Sequence, residues 1–279
     1  MYRSDFVDAR GTRLHYLQWE SAGPPIVFVH ASGHCGGVFE PLGDRLAPGF
    51  SVVALDGRGH GLSDNTDTYT WPEMRDDISL ALKALDLRRV VLVGHSGGGG
   101  VALLAAAALP ERVRGVIAFE PGVPFGLRPS PPADWDAFIE ERSRRRTRFA
   151  SREEVLSHFR GRGAFAEWRD EYLRAFIKHG VVESADGGVD LACAPRVEAL
   201  LVKLSFDSTA WDIPPCSTPV HIVSGDRSTF ARERDLAAPI RPLFPNLRTS
   251  VAPGCTHWGP MERPDLFEAS IREFIGDLG

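Results

Sequence analysis

Cysteine is scarce in this chain. Its 279 residues include only Cys35, Cys193, Cys216 and Cys255, widely separated and without a C-x-x-C pair. That spacing argues against a disulfide framework and against a thiolate metal site, so reduced thiols and no bound metal are expected. Long apolar runs are missing as well. The longest, Val101 to Leu109, falls well short of the roughly 20 residues a membrane-spanning helix needs. The opening stretch MYRSDFVDARGTRLHY has no apolar segment of the kind an export signal carries. A cytoplasmic location without membrane contact is therefore expected. Positive charge is not in excess either: the net charge is −5, which argues against nucleic acid or an acidic membrane surface as partner. The RSRRRTR stretch at 142–148 looks like an exception. Over 124–212, however, 14 basic residues stand against 15 acidic ones, which fits a solvated helix face.

What the chain does have is apolar material, 43% of its residues, enough for a sizeable core. Much of it comes in short β-rich runs. RLHYLQW (13–19) alternates like a half-exposed strand, and a further strand is read at 247–251. IVFVH (26–30), SVVALD (51–56), VVLVG (90–94), GVIAF (115–119) and VHIVSG (220–225) are nearly continuous and suit strands buried on both faces of a parallel sheet. Helical patterns at 72–86, 98–109, about 232–243 and 264–278 separate them, two with proline near the start. The alternation predicts an α/β fold with a mostly parallel, doubly wound sheet. Between 124 and 212 strand runs of that quality stop. This segment is read as a helical cap insertion, with 1–123 and 213–279 forming the core domain.

Residues 90–100, VVLVGHSGGGG, set one serine among glycines between a buried strand and an apolar helix. Gly94-His95-Ser96-Gly97-Gly98 fits G-x-S-x-G. The motif is informative when a strand precedes it and a helix follows, because the tight turn lifts the serine hydroxyl above the sheet. The turn also puts Gly97 N–H at the helix N-terminus, where it can donate to a developing oxyanion.

With these residues in place, the chain resembles the α/β-hydrolase-fold serine hydrolases along essentially its whole length. His30-Ala31-Ser32-Gly33 resembles the family's H-G-type oxyanion loop, with Ala31 in place of the usual glycine. Asp56-Gly57-Arg58-Gly59-His60-Gly61-Leu62-Ser63 resembles its D-x-R-G-x-G-x-S turn. Thr256-His257-Trp258 resembles its catalytic-histidine loop. The resemblance implies Ser96 as nucleophile and His257 as base, with oxyanion donors on Gly97 and Ser32. His60 is read as a structural member of its turn. The acid stays open between two residues. The family's usual place, after the strand ending near 224, reads Gly225-Asp226-Arg227-Ser228, so Asp226 is one candidate. Glu120 is the other: it leaves a buried strand just before Pro121, where a carboxylate is hard to justify as packing. His34, His95 and Trp258 are candidate substrate contacts. Phe125, Trp135, Phe138, Phe159, Phe165 and Trp168 of the insertion are candidate walls, though most such aromatics simply pack.

The activity implied is cofactor-free hydrolysis of a small or medium carboxylic ester or lactone through an acyl-enzyme. Two alternatives share the fold: C–C bond hydrolysis or cofactor-free oxygenase or perhydrolase chemistry, and a non-enzymatic ligand receptor with a vestigial triad.

Overall fold

The computed structural model describes residues 1–122, 133–185, 187–204, 207, 211–229, 237–238 and 240–279. Its strands are β1 (Arg3–Ala9), β2 (Thr12–Trp19), β3 (Pro25–Val29), β4 (Ser51–Leu55), β5 (Val90–His95), β6 (Val113–Phe119), β7 (Arg148–Phe149), β8 (Val181–Glu183), β9 (Val189–Leu191), β10 (Val220–Gly225) and β11 (Leu247–Ala252). The helices are α1 (Glu40–Leu46), α2 (Trp71–Ala84), α3 (Gly97–Ala108), α4 (Trp135–Ser143), α5 (Arg152–Phe159), α6 (Asp170–Gly180), α7 (Pro195–Leu204), α8 (Gly259–Glu262) and α9 (Pro264–Asp277).

The buried runs pair into one eight-stranded sheet of order β1-β2-β4-β3-β5-β6-β10-β11. From β4 to β11 neighbouring strands are parallel, and the β1–β2 hairpin adds to β4 antiparallel. Alternation along each strand divides the core between the two sheet faces. Val27, Val29, Val53, Leu55 and Leu92 join α2 and α3 on one face. Ile26, Phe28, Val52, Val91 and Val93 join α1, α6 and α9 on the other. This double coverage is why those strands read as unbroken apolar runs.

Local chemistry sets the helix boundaries. The Thr70 hydroxyl accepts from Glu73 N and donates to the Glu73 carboxylate, a reciprocal cap worth about 1 kcal/mol. Helix α3, GGGGVALLAAAA, is almost entirely buried, so it needs no polar face.

Strand order reverses around β3, which lies between β4 and β5. Sheets of this kind bind ligands beyond the carboxyl ends of the strands at such a reversal. The Ser32 loop leaves β3 there, and Ser96 follows β5.

Three features depart from the sequence reading. The first strand, β1, is joined to β2 by Arg10-Gly11, both at positive φ, as a two-residue hairpin turn requires. Helix α1 was also not expected. And the stretch after β6 is not purely helical: β7, β9 and β8 form a small antiparallel sheet beside α4 to α7. Half of the helix expected near 232–243, and Phe125, lie outside the described residues. The arginines of 142–148 do not form one helix face: Arg142 lies in α4 and stacks on Phe138, and the others follow the helix. Arg144 pairs with Glu140, Arg145 with Glu198, Arg146 with Glu154 and Arg148 with Asp190. Among the described residues, no helix is long and apolar enough to cross a membrane.

Candidate active site

Ser96 sits between β5 and α3 at φ 53°, ψ −124°, backbone space that a side chain occupies only under constraint. Close approach explains the flanking glycines. A Cβ on Gly94 would lie 2.5 Å from Gly99 Cα, and one on Gly98 would lie 2.3 Å from the carbonyl oxygens of Val29 and His30. The Ser96 carbonyl accepts from Gly99, Gly100 and Gly122 N–H, which fastens the bend. Gly97 N–H, first in α3, has no carbonyl one turn back to serve.

His257 follows β11 in a loop held at several points. Thr256 N–H and Oγ1 both donate to the Glu262 carboxylate, and His95 Nε2 donates to the His257 carbonyl at 2.8 Å. His257 Nδ1 lies 2.6 Å from Glu120 Oε2. Glu120 itself is fully buried at the end of β6, with φ 42°. Its other donors are Gly225 N–H at 2.9 Å and the Ser228 hydroxyl at 2.7 Å. A buried carboxylate with three donors has the compensation that burial demands.

Asp226 is therefore not the partner of His257. It is exposed, and its Oδ1 accepts from Cys255 N–H at 3.2 Å. Because Asp226 stands one residue past β10, its carboxylate turns toward the backbone of the histidine loop instead of toward the imidazole.

Ser96, Gly97, Ser32, His257 and Trp258 all line one cavity of about 290 Å³. Ser32 Oγ approaches to 2.6 Å of where a Gly97 Cβ would stand, so the two expected oxyanion donors are neighbours. The remaining wall is largely apolar. Trp71, Met74 and Ile78 contribute one face of α2, Val101 comes from α3, and Leu201 and Val202 come from α7. Arg58 also borders it, with its Nε and a terminal nitrogen on the two oxygens of Asp77 at 2.7 and 2.8 Å, and Glu73 at 3.1 Å.

Two expected substrate contacts are corrected. His34 does not line this cavity. It is packed among Phe165, Trp168, Phe176 and Trp258, and its Nδ1 donates to the Ser32 carbonyl. Burial pushes its pKa down to about 3. His95 is also absent from the lining: its ring points under the sheet end onto the His257 carbonyl, and burial followed by the nearby His257 lowers its pKa well below the usual value. Among the described insertion aromatics, Phe159, Phe165 and Trp168 pack on one another and Trp135 packs on Phe138; none of these five lines the cavity. The α2 wall went unread because apolar residues at i, i+3 and i+7 look the same whether they face a core or a cavity.

Residues 26–270 match the sequence profile of the alpha/beta hydrolase family, and the chain belongs to that family. It is 28% identical over 263 residues to the 2-(acetamidomethylene)succinate hydrolase of Mesorhizobium japonicum, covering 92% of this chain and 89% of that one. It is 24% identical over 271 residues to a putative esterase/lipase of Haemophilus influenzae, covering 94% and 87%. Among solved structures, an E-2-(acetamidomethylene)succinate hydrolase superposes with a TM-score of 0.84 at 29% identity, covering 99% of this chain and all of that one. These similarities make the chain a member of a family of hydrolases.

Proposed function

We propose that this chain hydrolyses small or medium, largely apolar carboxylic esters or lactones through an acyl-enzyme on Ser96. The carrying observation is that Ser96, Gly97, Ser32 and His257 line the same cavity while His257 Nδ1 meets Glu120. Ser96 Oγ attacks the carbonyl carbon and gives its proton to His257 Nε2. The N–H groups of Gly97 and Ser32 receive the oxyanion. His257 then protonates the leaving alcohol, and water repeats the sequence to release the acid. Glu120 fixes the imidazole tautomer and stabilises the imidazolium. Each oxyanion donor is worth about 3 kcal/mol of barrier. We assign residues 124–212 as the cap over this site, supported by Glu198, Leu201 and Val202 of α7 in the cavity wall.

A second reading, cleavage of an amide-like or C–C bond, is favoured by the similarity to the 2-(acetamidomethylene)succinate hydrolase. A panel of p-nitrophenyl esters from acetate to decanoate, γ-lactones, an N-acyl enamine and a β-diketone separates the two. Turnover highest on esters or lactones supports the first reading. Turnover confined to the enamine or diketone replaces it with the second.

A further inference from the structure

The oxyanion loop is clamped by neutral histidines. The Ala31 carbonyl accepts from His30 Nδ1 at 2.8 Å and from His34 N–H at 3.1 Å. The next peptide is gripped at both ends: the Ser32 carbonyl accepts from His34 Nδ1 at 3.1 Å, and Gly33 N–H donates to His60 Nε2 at 3.0 Å. A peptide unit is planar, so holding its C=O and N–H fixes the whole plane. With both planes flanking Ser32 held, the direction of Ser32 N–H is set too.

The His60 ring is itself fixed. Its Nδ1 lies 2.9 Å from the Arg58 carbonyl, which can only accept, while Gly33 N–H can only donate. Nδ1 therefore carries the proton and Nε2 is bare. Arg58 is in turn anchored on Asp77. Gly33 has φ +80°, so this geometry lies in the left-handed region. His60 is 4% exposed and borders the cavity, with Gly59 and Gly61, both at positive φ, on either side of it.

We propose that His60 is a positioning residue: as a neutral hydrogen-bond acceptor for Gly33 N–H, it aims the Ser32 N–H at the oxyanion. This rests on the serine-hydrolase reading above. The role concerns the transition state only, because the ground-state carbonyl needs no such alignment to enter the cavity. An acceptor at the Nε2 position is required; a side chain that merely fills the space does not suffice.

The test compares His60→Gln, whose amide oxygen can replace Nε2, with His60→Leu and, should Leu not fold, His60→Met. Readouts are kcat and KM on a p-nitrophenyl ester, the inhibition constant of a trifluoromethyl ketone that forms an oxyanion, and fluorophosphonate labelling of Ser96 in the parent. The apolar variants are expected to lose about 30–100-fold in kcat with KM within about threefold. Ketone affinity should fall in parallel, and Gln should recover both to within about fivefold of the parent. A folded Leu or Met variant with parental kcat, or a Gln variant as poor as the apolar ones, overturns the assignment of His60 while leaving the hydrolase reading intact. A parent whose Ser96 is not labelled overturns the hydrolase reading and this proposal with it.

Discussion

His257 reaches past the exposed Asp226 to a carboxylate at the end of a different strand, with Nδ1 2.6 Å from Glu120 Oε2. The family's usual acid position holds Ser228, and the Ser228 hydroxyl donates to that same Glu120 oxygen at 2.7 Å. The strand end that commonly supplies the acid here supplies a donor to the Glu120 carboxylate, which directly follows β6.

Glu120→Gln should accordingly cut kcat by about 10³–10⁴-fold, since an amide cannot accept from three donors or hold the required tautomer. Asp226→Asn should change it by no more than about threefold, because its carboxylate accepts from Cys255 N–H and not from the imidazole. Steady-state kinetics on one ester decides the matter. A reversed order would move the acid to Asp226.

Cavity depth should set acyl preference. Met74 borders the cavity from α2 and is only partly buried, so Met74→Trp can shorten the space without crowding the core. Each methylene denied burial costs about 0.8 kcal/mol, so losing room for three lowers kcat/KM about 50-fold. That loss should appear on octanoate, with acetate changed less than about threefold. Equal losses on both esters would put the acyl group elsewhere.

Acid should weaken the fold well before most carboxylates titrate. Burial holds His34 and His60 at about 3, whereas in the unfolded chain each titrates near 6.5. Between those values the unfolded state binds more protons, so stability falls as pH falls through this window. The slope approaches about 1.4 kcal/mol per pH unit for each group, or about 2 kcal/mol each between pH 7 and pH 5. Urea unfolding at pH 7 and pH 5 should show at least this combined loss, and His34→Phe should remove about 2 kcal/mol of it. Equal stability at the two pH values would contradict the buried neutral imidazoles.

The parallel sheet was legible because strands buried on both faces must be apolar throughout, as in VVLVG (90–94). The serine bend was legible because close backbone approach at Gly94 and Gly98 leaves glycines in the sequence. Glu120 was legible as one of two candidates: its cue was a carboxylate at a buried strand end, and spacing alone could not exclude Asp226. Strands β7 to β9 were not legible, since two or three residues are too few to show alternation. Nor were the roles of His34, His60 and His95. The His60 and His95 rings act on backbone groups of other loops, contacts that only the folded chain brings together, and the His34 ring turns back on Ser32 of its own loop.

Intact-mass analysis after exposure to a fluorophosphonate, followed by peptide mapping, tests most directly whether Ser96 is an activated nucleophile. One adduct on the Ser96 peptide is predicted, slowed at least about a thousandfold by His257→Ala and abolished together with ester cleavage by Ser96→Ala. An unmodified parent, or full ester cleavage by the Ser96→Ala protein, would contradict the account.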